Sequence, residues 1–157
     1  MKTAFALTGL AIVVLSACAS SRVSEKAQLP RPAGSGSVEV RIDGVPSEDG
    51  RVYASIYLSA EGFPEDKEKA YDYRYAEATK GSITLSFAEI PAGWFAVSVL
   101  HDADNNEVLT MNFLDWPKEG YGFSLNPEST FGPPNFDKAA VYLADGEAKQ
   151  LVVELID

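Results

Sequence analysis

From residue 37 onward, apolar and polar side chains alternate with a period of two. Val38, Val40 and Ile42 alternate with Glu39, Arg41 and Asp43, the pattern of a strand with one buried face and one wet face. Gly44 and the cluster from Pro46 to Gly50 predict a turn. Val52, Ala54, Ile56 and Leu58 alternate with Tyr53, Ser55 and Tyr57 as a second strand. A loop over 61–66, with one helical turn through Lys69, separates it from a third. There Tyr71, Tyr73 and Tyr75 share one parity and predict an edge strand near 72–79. Ile83, Leu85 and Phe87 predict a fourth strand and Phe95, Val97 and Val99 a fifth, divided by the turn Ile90-Pro91-Ala92-Gly93. Ala139, Val141 and Leu143, then Leu151, Val153 and Leu155, supply two more around Asp145-Gly146. No stretch keeps a helical period beyond a turn or two. The expected fold class is all-β: an antiparallel sandwich of about seven strands, each sheet wet on one face and sharing a core on the other.

Ahead of this domain the pattern changes. Met1-Lys2-Thr3 precedes a twelve-residue apolar run, Ala4 to Leu15. As a helix it spans roughly 18 Å, short of the ~30 Å hydrocarbon core, so it reads as a signal-peptide core and not as a membrane span. The run ends in Leu15-Ser16-Ala17-Cys18, which resembles the bacterial lipobox. That resemblance implies cleavage after residue 17 and acylation of Cys18, giving a partner in the membrane. Ala19 stands where Asp would resemble an inner-membrane retention signal, so the implied address is the outer membrane, facing the periplasm. Residues 18–36 contain Ser, Pro, Gly and Ala without hydrophobic period and read as a lipid-anchored flexible tether. The expected organisation is signal peptide 1–17, tether 18–36 and β-sandwich 37–157.

Composition narrows the function. Lys and Arg number 13 against 23 Asp and Glu, a net charge of −10, which argues against nucleic acid as a partner. One Cys and one His allow neither an intrachain disulfide nor a Cys/His zinc site. An acidic domain is also repelled by anionic lipid and is not expected to lie flat on it.

The stretch 101–137 breaks the alternation, and structureless loops of that length are often functional. The segments Ser59-Ala60-Glu61-Gly62-Phe63-Pro64, His101-Asp102, Asn112-Phe113-Leu114, Pro117-Lys118-Glu119-Gly120-Tyr121-Gly122-Phe123-Ser124 and Phe131-Gly132-Pro133-Pro134 with Phe136 are similar to a bacterial secreted family known only as a domain of unknown function. The similarity covers roughly residues 37–157, in order. It implies an exported immunoglobulin-like or transthyretin-like sandwich and no particular activity.

Asp102, Asp104 and Asn106 stand at i, i+2 and i+4, the alternation by which a tight loop converges oxygens on calcium. Counted as a calcium loop, however, the closing twelfth position is Phe113, which has no carboxylate. The family pattern more often has Gly after Asn106 and Asp at position 110, where this chain has Glu107 and Thr110. Two readings stand: a calcium site, or a solvated acidic turn. His101 as a general base would need a carboxylate on its far nitrogen. Asp102 is adjacent in a strand and points to the opposite face, which favours a structural histidine bonded to loop backbone.

Trp94, Trp116, Tyr121, Phe123, Phe131 and Phe136 gather in or beside the loop. They read either as a stacking platform, with Trp116, Tyr121 and Phe123 as ligand contacts, or as a satellite core packing the loop on the sheet. Three functions remain in order of preference. The first is a non-catalytic, lipid-anchored envelope module that binds a partner or serves structure. The second is a carbohydrate- or peptide-binding module, calcium-assisted or not, that uses the 101–137 loop. The third is a hydrolase centred on His101.

Overall fold

In the computed structural model of the chain, the described residues are Lys26, 30–114, 116–128 and 132–156. Cys18 and the apolar run before it lie outside them, as do Ser129, Thr130 and Phe131. The alternating rows form strands β1 (Ser35–Val45), β2 (Arg51–Tyr57), β3 (Asp72–Glu77), β4 (Gly81–Pro91) and β5 (Gly93–Asp102). They continue as β6 (Tyr121–Phe123), β7 (Val141–Leu143) and β8 (Ala148–Glu154). A 3-10 turn, Lys67–Lys69, stands where the helical turn is expected. The chain is therefore all-β, with the seven expected strands in place. Among the described residues, no helix is long and apolar enough to cross a membrane.

β6 lies inside the stretch read as loop. Three residues are too few to show a period, and Gly122 removes the middle side chain. Its absence is needed: a Cβ there would stand 2.7 Å from the Glu154 carbonyl oxygen, where β6 leans on β8. Ala139, expected in a strand, instead ends the single-turn helix α1 (Phe136–Ala139), and β7 begins two residues later. The Asn135 side chain caps that turn by accepting from the Lys138 amide.

The strands make two sheets. In the smaller, β1 lies between β4 and β8, antiparallel to the first and parallel to the second. In the larger the order is β3-β2-β5, and β6 and β7 both pair with β5. The main core lies between the sheets, where Val40, Ile42, Ile56, Phe95, Val97 and Val153 are fully buried. The outer face of the smaller sheet is wet, as expected: Glu39, Arg41, Ser82, Thr84 and Ser86 are exposed on it. The outer face of the larger sheet is not. Tyr57, Ala96 and Phe123 there are covered by Phe63 of the 58–71 loop and by Phe136, Ala139 and Ala140, forming a second apolar cluster. Phe63 meets Tyr57, Phe123 and Phe136 edge to face. The reason is that the two long connections carry their own apolar side chains and bury them on the nearest available sheet face.

The two kinds of face predict contrasting substitutions. Ile42→Ala, at a fully buried position, is expected to cost about 3 kcal/mol. Thr84→Ala, on the wet face, is expected to stay within about 0.5 kcal/mol of the parent. Urea unfolding midpoints read both; equal costs would refute the assignment of faces.

Candidate functional site

β5 ends in two buried residues, His101 and Asp102, and the chain leaves the sheet there. The His101 amide donates to the Gly120 carbonyl at 2.7 Å, which returns the chain to β6. The His101 ring is 1% exposed, and its Nε2 donates to the Asp49 carbonyl at 2.8 Å, tying the 46–50 turn to the end of β5. Gly50 completes that turn at φ +66°, and a Cβ on it would sit 1.9 Å from the Asp102 carbonyl oxygen. Ser124 does not approach His101. Its amide bonds to Val97, four residues back along β5 and so roughly 13 Å away. Its hydroxyl donates to the Ala139 carbonyl at 2.6 Å.

The loop from Ala103 to Lys118 is held at its base by three carboxylates. Asp102 is fully buried and accepts from the Asn106 amide (3.0 Å) and the Glu107 amide (2.9 Å), one on each oxygen. Glu119, 6% exposed, accepts from the Ala103 amide (2.9 Å) on one oxygen and the Thr110 amide (2.8 Å) on the other. Asp104 is exposed and accepts from the Asn106 amide (3.2 Å) and the Thr110 hydroxyl (3.0 Å). Asn106 turns its amide within the loop, to the Val108 amide and the Thr110 hydroxyl. Amide dipoles thus compensate charges that burial would otherwise penalise.

One ligand oxygen from each of Asp102, Asp104 and Glu119 lies within 4.8 Å of the others. That spacing suits a hard cation, which binds oxygens at 2.3–2.6 Å. The structure thus brings Asp102 and Asp104 together with Glu119, seventeen positions after Asp102, and the Asn106 amide meets both aspartates. On its flank, the Lys67 ammonium pairs with Glu107 and holds that carboxyl below its usual range.

Beyond the carboxylates the chain makes a small hairpin. Met111 bridges Pro117, and the Asn112 side chain accepts from the Leu114 amide (2.8 Å) and the Trp116 amide (3.2 Å). At this tip Phe113 is 93% exposed, Trp116 69% and Leu114 62%, with Val108 and Met111 also exposed beside them. The other expected ligand contacts lie elsewhere. Phe123 belongs to the second cluster, and the half-buried Tyr121 meets it at a tilt of 60°, ring centroids 5.8 Å apart. Tyr73 and Tyr75 are half exposed on β3, an edge of the larger sheet, and Tyr71 is half exposed just before it.

Comparison with known families decides the relationship. Residues 40–151 match a family described as "Uncharacterized protein conserved in bacteria (DUF2141)". The chain belongs to this family. No curated protein matches it. Among solved structures, the crystal structure of a DUF4876 family protein from Bacteroides thetaiotaomicron is 15% identical over 80% of this chain and 24% of that one, with a TM-score of 0.32. In this DUF2141 chain the tip and its carboxylate base occupy residues 102–119, inside the matched region.

If Glu119 holds the loop's base, Glu119→Ala should cost about 2 kcal/mol, because the part-buried amides of Ala103 and Thr110 lose a charged acceptor. Hydrogen exchange at those two amides should quicken while β1 and β2 stay protected. Unchanged exchange at Ala103 and Thr110 would remove Glu119 from this role.

Proposed function

We propose that this protein is a non-catalytic envelope module, anchored in the outer membrane through acylated Cys18, that docks the apolar hairpin at residues 108–117 into a pocket on a partner protein. One observation carries the reading. Phe113, Leu114 and Trp116 are largely exposed on a hairpin whose base is fastened by buried carboxylates. Monomeric proteins rarely present contiguous apolar surface without a use for it. Large aromatic anchors on a pre-ordered support are what interface hot spots need, since little freedom is lost on binding. The chemistry favours protein over glycan: the tip carries Val108, Met111 and Leu114 beside its two aromatics, whereas ligand sites for small polar molecules are concave and place polar groups. His101, held by Asp49 and Gly120, supports a structural role for the sole histidine.

The convergence of Asp102, Asp104 and Glu119 favours a second reading, a calcium-assisted carbohydrate- or peptide-binding module using the same loop.

Two measurements separate these. A photo-crosslinker at Phe113 in intact envelopes should give a defined protein adduct, and Trp116→Ala should abolish it while the unfolding midpoint stays within about 0.5 kcal/mol of the parent. An adduct indifferent to Trp116→Ala would count against the docking tip. Calorimetric titration with calcium should give no heat; heat that disappears in Asp102→Ala would establish the second reading in its place.

A further inference from the structure

We infer that the segment before β1 is a clamp that keeps the hydrophobic tip pointed away from the bilayer anchoring Cys18, so that the tip meets a protein standing across from that bilayer. The inference rests on the anchored docking module proposed above and adds its orientation.

The clamp is made of side chain to carbonyl bonds. The Arg31 guanidinium donates to the Trp94 carbonyl at 2.7 Å, the Pro91 carbonyl at 3.0 Å and the Leu58 carbonyl at 3.1 Å. It thereby joins the ends of β2 and β4 to the start of β5. Lys26 donates through Nζ to the Asp137 carbonyl at 2.8 Å and lies 4.6 Å from the centroid of the Trp94 ring. Its amide meets the Asp137 carboxylate at 3.1 Å. The Ser35 amide meets Asp145 at 3.2 Å. Partial burial draws the Arg31 pKa down while the residue keeps an exposed face.

All of these contacts gather at the pole where β5 begins. The tip is rooted at the other pole, where β5 ends at Asp102. Ten residues of strand set the two about 30 Å apart. The length of the leash limits how the domain can stand. From Cys18 to Lys26 is eight residues, which reach at most about 28 Å when fully extended. Tip-first contact with the anchoring bilayer would require the clamped pole to rise by the length of the sandwich and the hairpin beyond it, more than this leash allows. Released at Lys26 and Arg31, the leash would run to Ser35 and reach about 60 Å, enough for the molecule to invert. Lying sideways sets a chain of net charge −10 against anionic headgroups. Glu48, Asp49 and Asp104 are exposed around the root of the tip. The partner that fits is therefore a protein whose apolar pocket has a basic rim.

The test uses the acylated full-length chain in vesicles of phosphatidylcholine and phosphatidylglycerol. A donor dye is placed at Phe113→Cys or at Tyr142→Cys, the latter on β7 at the clamped pole, and an acceptor on the headgroups. The Cys18 thiol is consumed by acylation, and intact mass reports that step independently. The expected result is several-fold less energy transfer from position 113 than from 142, with the difference lost when Arg31→Ala is combined with Lys26→Ala. Equal transfer from the two positions in acylated protein would overturn the orientation. A difference that survives Arg31→Ala together with Lys26→Ala would overturn the clamp. A mass without acyl chains would overturn the anchor itself and leave the clamp's hydrogen bonds to be read from the protection of the Trp94 region in hydrogen exchange.

Discussion

Removal from water of the inward rows of β1 and β5 is the condition for everything else in this molecule. Val38, Val40 and Ile42 from one sheet and Phe95, Val97 and Val99 from the other meet in a single core. At about 25 cal/mol per Å² of apolar surface, such rows supply the main favourable term of folding. Because the period of a strand is two, burying one row fixes the register of every neighbour. That register carries Asp102 to the end of β5 opposite Arg51, and Tyr121 opposite Leu100. The carboxylate base of the loop thus depends on core packing: β5 cannot slide by one residue against β6 without taking the Ala103 amide away from Glu119.

On that foundation the loop is built in two tiers. Near the sheet it is polar and internally satisfied, with carboxylates accepting from backbone amides and positive φ at Asn105 and Glu107. Farther out it is apolar and exposed. The tiers divide labour. In the docking proposed above, the first removes conformational freedom in advance, so the second would present its rings without a large ordering cost. The Lys67–Glu107 pair adds a tie from the 58–71 loop, though an exposed pair contributes little by itself.

The strands were legible because alternation is a local signal. β1, β2, β4 and β5 each show it over five residues or more. β6 was not, since its pairing with β5 depends on atoms more than twenty positions away and its centre is Gly122. The same distance hid Glu119. Asp102 and Asp104 announce themselves by spacing, but the third carboxylate joins them only after β6 has aligned Gly120 with His101. Trp116, Tyr121 and Phe123 looked like one group because they are near in sequence. Pairing with β5 draws Tyr121 and Phe123 toward the sheet and leaves Trp116 beyond it. Arg31 and Lys26 left no pattern at all, since a side chain that serves carbonyl oxygens needs no complementary residue to betray it.

The parallel pairing of β1 with β8 has a consequence for how the protein comes into being. The strand at the middle of the smaller sheet is the earliest to be synthesised, and one of its two neighbours is the last. Until residues 148–154 have emerged from the ribosome, Val40 and Ile42 have a flank with nothing to pair against. Contacts of such long sequence separation form slowly, because the loop must close before any bond rewards it. A growing chain therefore leaves that flank of the core open until β8 has been made, even where β4 already pairs with β1.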